Sequence, residues 1–291
     1  MLKVVGISRL HMTLIDLEGT YGRLDGGVGL ALSRPRVVVN VGKCEPPIPP
    51  PFPLPGVCLE EDYEPHVGLG HTTQLSLAVG KLAAEFNGLR KDARELAILM
   101  GRGSTSGVGV YAFQFGGLVV DGGHSTKLKP VPEPSDYASA PPPPVLARFH
   151  FPWLVYVNIP EQGRRIYGQV ERAAFRERVE GAAELSRVVL MGLLPSVAEG
   201  DLSGVLESVE RIQSLGFKRV EWRLQSDQVR ELAKAMSSRG FAVGLSSFGP
   251  ALYTFPSTER EGRELESTFG GFVTYPNNMG ARTVWNSINS S

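Results

Sequence analysis

The first part of the chain carries short segments in which hydrophobic and polar residues partly alternate, which is typical of β-strands. Residues 2–15 are rich in β-branched side chains and predict a strand, and two shorter strands are predicted at residues 27–32 and 36–41. From Pro46 to Pro55, seven of ten residues are proline. Proline has no backbone N–H and cannot continue a sheet ladder, so this run predicts a stiff, extended surface connection.

The pattern then changes to helical spacing. Apolar residues recur every three or four positions after residue 70, and they predict a helix that ends at Asn87 and Gly88. A second helix is predicted at residues 92–100, with Asp92 as its cap. Glycine and hydroxyl residues at 101–107 predict an irregular loop, whereas residues 110–120 fit a helix and a strand equally well.

A second proline-rich stretch at residues 130–144 predicts a boundary between two domains, 1–145 and 146–291. The second half predicts a strand at 153–159, helices at 170–194 and 202–215, a strand at 220–224, and a helix at 227–236 capped by Asp227. It continues with strands at 241–245, 251–255 and 271–275 and a helix before the last of them. Strands grouped apart from helix pairs favour an α+β fold with mainly antiparallel sheets.

Charge and cysteine content narrow the class of partner. Thirty basic residues balance thirty acidic ones, and no basic stripe suggests a nucleic-acid surface. No apolar run is long enough for a bilayer and no signal peptide is evident, so a cytoplasmic protein with a small-molecule partner is expected. Cys44 and Cys58 fit no zinc pattern, and their spacing leaves a loop-closing disulfide open.

The strongest candidate for chemistry is a glycine loop that opens the first predicted helix. Gly68 and Gly70 allow a tight turn and close approach of a ligand, and the free N–H groups of the helix start favour phosphate or pyrophosphate. His71, Thr72 and Thr73 add side-chain donors. The alternative is a plain glycine turn with a threonine cap, since neither a Walker nor a complete dinucleotide motif is present.

A charged cluster lies on the first predicted strands and comprises Arg9, His11, Asp16, Arg23 and Asp25. Arg9 and His11 share strand parity and should project from one face. A carboxylate near an arginine is able to bind a metal or to stabilise a cationic transition state. The alternative is a solvated sheet edge.

Three further clusters offer polar groups on loops. Arg102, Ser104 and Ser106 lie in the loop at 101–107, Asp121 and His124 combine an acid with a titratable imidazole, and Ser246 and Ser247 lie in a glycine–serine turn at 244–249. A structural role is the more frequent outcome for any one of these clusters. His66 and His150 are interpreted as residues without a function, and residues 60–62 as a solvated surface turn.

The order of these motifs resembles the GHMP kinase superfamily, with matches at residues 9–32, 66–74 and 244–255. The resemblance implies a two-domain GHMP-kinase-like α+β fold, with an N-terminal ribosomal-protein-S5-like domain, a C-terminal ferredoxin-like α/β sandwich and a ligand cleft between the halves. Kinases of this family often carry an aspartate where this chain has Gly109. They also usually carry a serine pair where it has His71, Thr72 and Thr73. Both departures weaken a kinase assignment.

The chain is more closely similar to the β-ribofuranosylaminobenzene 5'-phosphate synthase family, at residues 9–17, 22–23 and 26–29, 66–70 and 73–75, 101–103 and 106–107, 115–117 and 121–123, and 246–250. The resemblance implies an archaeal transferase of tetrahydromethanopterin-type cofactor biosynthesis. Such an enzyme joins phosphoribosyl pyrophosphate to 4-aminobenzoate or a close analogue and releases pyrophosphate and CO2. Magnesium and a homodimer are also implied.

Residue roles follow as hypotheses. We expect pyrophosphate at Gly68, Gly70, His71, Thr72 and Thr73. Candidates for the carboxylate near the ribosyl cation are Asp16, Asp25 and Asp121, and candidates for holding the benzoate are Arg23, Arg102 and His124. The predicted catalytic set is Asp16, Arg23, Asp121 and His124, and the predicted substrate-binding set is Arg9, His11, Arg102, Ser104, Ser106, Ser246 and Ser247. Metal ligands stay unassigned, and the alternatives are an ATP-dependent GHMP-type kinase and a non-catalytic metabolite-binding relative.

Overall fold

The computed structural model describes residues 2–285. Its strands are β1 (Leu2–Val5), β2 (Ser8–Asp16), β3 (Arg23–Leu32), β4 (Val38–Val41), β5 (Val57–Glu61), β6 (Leu118–Asp121), β7 (His124–Ser125), β8 (Val145–Phe149), β9 (Val155–Asn158), β10 (Gly244–Leu245), β11 (Leu252–Thr254), β12 (Phe272–Thr274) and β13 (Arg282–Trp285). Its α-helices are α1 (His71–Phe86), α2 (Ala93–Leu99), α3 (Val108–Phe115), α4 (Gly168–Ala174), α5 (Ala182–Val188), α6 (Leu194–Glu199), α7 (Leu202–Gln213), α8 (Lys218–Leu224), α9 (Asp227–Ser237) and α10 (Glu259–Phe269). A π-helical turn, Val189–Leu193, joins α5 to α6.

The strands form three sheets, and every pairing among the described strands is antiparallel, as predicted. One sheet has the order β13-β1-β4-β5, a second has β10-β11-β9-β12, and the third has β2-β3-β6-β8 with β7 beside β3. Because β13 pairs with β1, the end of the chain returns to the first sheet. Because β8 pairs with β6, the chain beyond residue 145 also continues the third sheet, and the division into domains at that residue stays a prediction.

Two large apolar clusters hold these layers together. Helices α1, α2 and α3 bury one face against β1 and β4, with Leu77, Leu96 and Val110 packed against Val4 and Val39. The other cluster packs the third sheet against β9 and the helices α5 and α7. Burial of apolar surface is the main stabilising contribution to a domain of this kind, so it also fixes how the elements around the cleft are oriented.

The two helices predicted in the first half of the chain are confirmed, whereas its first predicted strand is divided. Helices α1 and α2 lie where the periodicity predicts them, and Asp92 forms a reciprocal capping box with Glu95. The predicted strand at residues 2–15 is two strands, because β1 pairs with β4 whereas β2 pairs with β3. The ambiguous segment at 110–120 contains both elements, α3 and β6, and they are separated by Gly116 and Gly117 at positive φ.

Two elements predicted in the second half of the chain differ from the structure. The single helix predicted at 170–194 is wrong, since the chain leaves the helix at Phe175, which is buried among aromatic rings, and starts α5 after Gly181 at φ 113°. The strand predicted at 220–224 is also wrong. Lys218 and Glu221 form a buried ion pair three residues apart, which is a neighbour relation on a helix. The cap of α9 is Ser226, whose hydroxyl accepts from the backbone, and Asp227 is the first helical residue.

Strand lengths also differ at the carboxyl end of the chain, where the strand predicted at 241–245 is confined to β10. The order of strand, loop, strand, helix and strand from β10 to β12 is confirmed. The proline run at 46–55, all of which is described, contains neither helix nor strand, as predicted. A disulfide joins Cys44 to Cys58 and closes this loop.

The second proline-rich stretch, residues 130–144, is called the strap here. It is tied to the third sheet by three residues that form the anchor, Asp25, His124 and Lys129. The Asp25 carboxylate, on a side chain that is 1% exposed, lies 2.7 Å from His124 Nδ1 and 3.0 Å from Lys129 Nζ. Asp25 also adopts φ 69°, so this position requires both a left-handed backbone and a carboxylate.

The anchor reaches the strap through backbone carbonyls. Lys129 Nζ donates to the carbonyl of Glu133 at 3.0 Å, and His124 Nε2 lies 3.0 Å from the carbonyl of Pro141. Arg172 of α4 lies over the ring of Tyr137 and pairs with the Glu133 carboxylate. The strap is therefore held at both ends and in its middle, although it contains no regular element.

Removal of the anchor carboxylate should lower the free energy of unfolding of the protein. Asp25→Ala leaves Lys129 and His124 buried without their partner, and breaking a buried pair in this way typically lowers the free energy of unfolding by about 3–5 kcal/mol. Denaturant titration would measure the loss. The control is Glu207→Ala, which breaks an exposed pair with Arg211 and should change the free energy little. Equal effects of the two substitutions would contradict a structural role for the anchor.

Candidate functional site

A cleft with two connected compartments lies between the glycine loop, the strap and α4. The outer compartment opens at the start of α1, and the inner compartment lies between β2, the start of α3 and α8. Six residues line both compartments and mark where they join: Arg9, Thr73, Ser135, Glu171, Ser247 and Phe248. The cleft therefore combines residues from both halves of the chain.

The glycine loop supplies the floor of the outer compartment. Gly68 and Gly70 have φ values of 91° and 78°, in the left-handed region that favours glycine. A Cβ on Gly68 would lie 2.4 Å from the Ser246 carbonyl oxygen, so the two loops pack backbone to backbone. Val67 and Leu69 are buried in the main apolar cluster and fix the loop in place.

The start of α1 presents unused backbone donors to the cleft. Gly70 is the N-cap residue, no described side chain caps this helix start, and its first turn contains no acidic residue. His71, Thr72 and Thr73 form that first turn and line the outer compartment. Uncapped N–H groups with the positive end of a helix dipole behind them make a binding site for phosphate or pyrophosphate.

One carbonyl oxygen joins three remote motifs. The oxygen of Gly68 accepts hydrogen bonds from Ser246 Oγ at 2.7 Å and from Arg9 Nη1 at 2.8 Å. Ser246 Oγ also accepts from the His11 N–H at 3.0 Å, and the Ser247 N–H donates to the His11 carbonyl at 2.8 Å. Ser246 is thus engaged in structure, whereas Arg9, His11 and Ser247 line the cleft.

Arg9 is the cation nearest to the join of the compartments. Burial lowers the pKa of its guanidinium to about 10, which still leaves it charged at neutral pH. Its Nε has no hydrogen-bond partner among the described residues. A buried donor without a partner is costly unless a ligand or water satisfies it, so Arg9 is prepared to hold an anionic group.

Other predicted ligands of the first helix turn already have protein contacts. His71 Nε2 lies 2.7 Å from Asp62 Oδ1, so Asp62, predicted as part of a solvated turn, orients a residue of the cleft. Thr73 Oγ1 accepts long hydrogen bonds from Arg102, at 3.4 Å. Arg102 in turn forms a 2.9 Å ion pair with Asp136 of the strap. Arg102 thereby connects the strap to the anion site.

The serines predicted on the loop at 101–107 differ in placement. Ser106 lines the inner compartment, and its hydroxyl donates to Asp121 Oδ2 at 2.9 Å. Ser104 is buried, at 3% exposure, and lines neither compartment. Asp121 is fully buried behind Ser106, and it also accepts from the N–H groups of Gly107 and Gly123. Desolvation raises the pKa of Asp121 to about 6.

None of the four residues predicted as catalytic lines either compartment. Asp16 Oδ1 accepts the N–H groups of Glu18 and Gly19 in the turn after β2. Arg23 donates to the carbonyls of residues 122 and 123, His124 belongs to the anchor, and Asp121 holds the loop before α3. These contacts place them around the cleft as supports, and a direct catalytic role for each stays a prediction.

The structure adds charged residues that no sequence motif indicates. Glu171 of α4 lines both compartments, and desolvation raises the pKa of its carboxyl to about 7. Asp136 of the strap lines the outer compartment. His66, interpreted from the sequence as a residue without a function, lines the same compartment and stacks on Tyr167 with ring centroids 4.5 Å apart.

Glu221 of α8 lines the inner compartment and is 2% exposed. It forms an ion pair with Lys218, whose Nζ also donates to the Leu245 carbonyl at 2.9 Å. Burial raises the pKa of Glu221 and lowers that of Lys218, while the attraction within the pair opposes both shifts. The only sequence signal was their spacing of three residues, which also fits a solvated helix face.

An apolar wall faces these charges. Leu14, Phe175 and Phe248 line the inner compartment and belong to one apolar cluster with Phe217. The Phe217 and Phe248 rings meet edge to face, with centroids 5.5 Å apart. Aromatic walls of this kind bind flat apolar rings through area burial and edge-to-face contacts.

Residues 2–285 contain no cluster of three or more His, Cys, Asp or Glu residues that would hold a metal alone. They also contain no helix that is long and apolar enough to cross a membrane.

Comparison with known proteins gives both close and distant relatives, although no family model matches the chain. It is 40% identical over 283 residues to the beta-ribofuranosylphenol 5'-phosphate synthase of Methanothermobacter thermautotrophicus, covering 85% of this chain and 86% of that protein. The protein of the same name from Archaeoglobus fulgidus is 40% identical over 91% of this chain and 90% of its own length. The protein of the same name from Methanocaldococcus jannaschii is 34% identical over 96% of this chain and 98% of its own length.

Solved structures show the fold. The phosphomevalonate kinase of Streptococcus pneumoniae superposes with a TM-score of 0.66 at 11% identity, covering 97% of this chain and 99% of that one. The homoserine kinase of Cytophaga hutchinsonii superposes with a TM-score of 0.59 at 13% identity, covering 97% of each chain. The predicted GHMP-kinase-like fold is therefore confirmed.

The resemblance inferred from the motifs is confirmed as well, and the names of the archaeal relatives specify a phenol where the motif resemblance implied an aminobenzene. The chain is an enzyme that belongs to the beta-ribofuranosylphenol 5'-phosphate synthase family and has the GHMP kinase fold.

Proposed function

We propose that this enzyme transfers the phosphoribosyl group of phosphoribosyl pyrophosphate to the ring carbon that carries the carboxylate of a 4-substituted benzoate. Pyrophosphate and CO2 leave, and a carbon–carbon glycosidic bond forms, as a step of tetrahydromethanopterin-type cofactor biosynthesis. The observation that carries the proposal is the cleft itself, in which an anion site at a helix start opens into an aromatic-walled compartment beside the half-buried Arg9.

The anion site suits the leaving pyrophosphate. Negative charge grows on the pyrophosphate as its bond to the ribose carbon breaks, and the uncapped helix start at residues 71–73 and Arg102 both line the outer compartment. Preorganised donors require little rearrangement when this charge develops, which lowers the barrier to departure. Binding of the donor there places its ribose at the join of the two compartments.

The aromatic acceptor suits the inner compartment. Its ring fits the wall of Leu14, Phe175 and Phe248, and its carboxylate reaches Arg9 at the join. The ring carbon that bears the carboxylate then faces the ribose. As that carbon attacks, the bond to pyrophosphate breaks, and the electron pair of the bond to the carboxyl carbon restores the aromatic ring when CO2 leaves. A compartment with little water favours this loss.

Magnesium fits the carboxylates of the cleft. Mg²⁺ is usually held by one or two carboxylates together with substrate phosphates and water, so a cluster of protein ligands is not required. Glu171 and Asp136 both line the outer compartment beside the anion site, and these two residues would hold the ion. Bound there, it would neutralise negative charge on the pyrophosphate.

Phosphoryl transfer by a kinase mechanism has less support in the same cleft. Gly109 occupies the position at which many GHMP kinases carry an aspartate, and a Cβ there would lie 3.1 Å from Thr73 Cγ2. The inner compartment is also walled by aromatic rings. A cytoplasmic location and a homodimer, both expected from the sequence, belong to the proposal and have no bearing on the residues of the cleft.

The activity assay is direct. Protein is incubated with Mg²⁺, phosphoribosyl pyrophosphate and either 4-hydroxybenzoate or 4-aminobenzoate, and CO2, pyrophosphate and the aryl riboside are measured. We expect the three products in equal amounts from at least one acceptor. Absence of CO2 and riboside with both acceptors, or turnover of ATP with a sugar or alcohol acceptor instead, would refute the proposal.

A substitution in the glycine loop should weaken donor binding. Gly70→Ala places a Cβ 2.9 Å from Arg9 Nε at φ 78°, so it displaces Arg9 and strains the helix start. We expect the KM for phosphoribosyl pyrophosphate to rise about ten- to a hundredfold, with a loss of about 1–2 kcal/mol in the free energy of unfolding from the left-handed backbone.

Gly88→Ala is the matched control, because Gly88 has φ 67° and its Cβ would meet nothing within 4 Å. Steady-state kinetics and denaturant titration should show a similar loss of stability for this variant and an unchanged KM. If both variants raise the KM equally, backbone strain and not the cleft explains the effect.

The Glu171 carboxyl should govern the acid limb of activity. Desolvation raises its pKa to about 7, so the charged form that would hold Mg²⁺ is lost as the pH falls through this value. The pH profile of kcat/KM reports groups of the free enzyme, and we expect an acid limb near pH 7. Glu171→Gln should lower activity and remove this limb. The control Glu177→Gln, in an exposed pair with Arg223, should keep it, and an unaltered limb in Glu171→Gln would contradict the assignment.

A further inference from the structure

The inner compartment contains polar groups that differ in how far the protein itself satisfies them. Four polar side chains line it without lining the outer compartment: His11, Thr105, Ser106 and Glu221. Thr105 Oγ1 donates to the Glu133 carbonyl, and Ser106 Oγ donates to Asp121, so both hydroxyl protons are engaged.

His11 and Glu221 are different. His11 is 6% exposed and Glu221 is 2% exposed, yet His11 Nδ1 has no hydrogen-bond partner among the described residues. Glu221 Oε2 pairs with Lys218 Nζ, and within residues 2–285 this is the one ion pair of the carboxylate. Buried polar atoms are nearly always hydrogen-bonded in native proteins. A buried imidazole nitrogen without a partner, beside a buried carboxylate that lines the same compartment, indicates a place where a ligand supplies the missing partner.

The orientation of the acceptor decides which of its groups reaches this place. In the proposed function, on which this inference rests, the ring carbon with the carboxylate must face the ribose at the join of the compartments. The substituent at position 4 lies directly across the ring and therefore points into the inner compartment. His11 and Glu221 line that compartment and are absent from the outer one.

We infer that Glu221, held by Lys218 and assisted by His11, recognises the hydrogen-bond donor at position 4 of the acceptor and is thus a specificity-determining residue. The ligand class is a benzoate with a hydroxyl or amino group at that position. Its O–H or N–H donates to the Glu221 carboxylate. His11 accepts or donates at Nδ1 according to its tautomer, since burial lowers the pKa of His11 well below its usual value and keeps the ring neutral.

The same contact activates a hydroxyl acceptor. As the ring carbon attacks the ribose, electrons flow from the oxygen at position 4 into the ring and its proton moves to Glu221. The bond to pyrophosphate breaks with its electron pair on pyrophosphate. When CO2 leaves, the electron pair of the broken carbon–carbon bond returns to the ring and the proton returns to the oxygen. No proton is consumed, and no further reactant is needed. An amino group donates electrons without losing a proton, so it requires recognition alone.

Binding of benzoates in the absence of a ribosyl donor tests the inference without turnover. With Mg²⁺ and pyrophosphate present and no ribosyl donor, calorimetry gives the Kd of benzoate, 4-methylbenzoate, 4-hydroxybenzoate and 4-aminobenzoate. The wild-type enzyme should bind the two acceptors with a donor group at least about tenfold more tightly than the other two, as expected for a buried hydrogen bond to a charged group. Glu221→Gln should reduce this preference to about threefold or less, with little change in the Kd of benzoate.

Two further variants separate this contact from general damage. Glu177→Gln changes an exposed carboxylate outside the cleft, in a pair with Arg223, and should keep the preference for position 4. If Glu221→Gln is unstable because Lys218 loses its partner, the double variant Lys218→Met, Glu221→Gln removes both charges and should show the same loss of preference. A preference retained in the Glu221 variants, or lost equally in Glu177→Gln, would overturn the inference.

The kinetic arm distinguishes this inference from the proposed function. If the enzyme is active, kcat/KM for 4-hydroxybenzoate should fall in Glu221→Gln at least about tenfold more than that for 4-aminobenzoate, because only the hydroxyl must release a proton, while the KM for phosphoribosyl pyrophosphate stays unchanged. A wild-type enzyme that binds the acceptors selectively through Glu221 but forms no riboside would refute the proposed reaction and uphold the binding site. An active enzyme with unaltered preference in Glu221→Gln would do the reverse.

Discussion

The carbonyl oxygen of Gly68 is the point on which the geometry of the cleft depends. It accepts from Arg9 of the second strand and from Ser246 near the end of the chain, so three segments far apart in sequence are fixed to one atom. The close packing of the Gly68 backbone against residues 246–249 leaves no room for a side chain. The uncapped donors of α1 and the buried guanidinium of Arg9 keep their relative positions because of this single junction.

Burial then gives the charges of the cleft their character. Arg9, Glu171 and the Lys218–Glu221 pair lie in surroundings that disfavour ions, and the pKa of each is displaced toward the neutral form. Electrostatic interactions are stronger where water is excluded. The anchor and the strap contribute by covering the cleft, and Arg102 links the strap to the anion site through Asp136. Support residues and ligand-facing residues thus form one connected set.

The sequence predicts features that are determined by neighbouring residues, and it misses features that depend on packing between distant segments. The glycine loop, helix α1 and the cap at Asp92 depend on neighbouring residues, and the sequence predicts all three correctly. Glu171 and Glu221 become cleft residues only when α4 and α8 pack against β2, and nothing in their local pattern indicates this. The wrong strand at 220–224 has the same origin, because a short apolar segment fits either period until its packing partners are known. Asp16 and Arg23 belong to the same sequence motif as the cleft residues Arg9 and His11, but their side chains bond to backbone groups outside the cleft.

These contacts also change where the difference between a synthase and a kinase should be sought. The sequence places that difference in the first turn of α1, where His71, Thr72 and Thr73 replace the serines of the kinases. Backbone donors at a helix start bind a transferring phosphate and a leaving pyrophosphate equally well, so this turn alone does not select the reaction. In the proposed function the selective features are in the inner compartment, where Gly109 stands in place of an acid, Phe175 and Phe248 form a wall, and Glu221 contributes a buried carboxylate. In the proposed function the second substrate, and not the anion site, therefore decides which bond breaks.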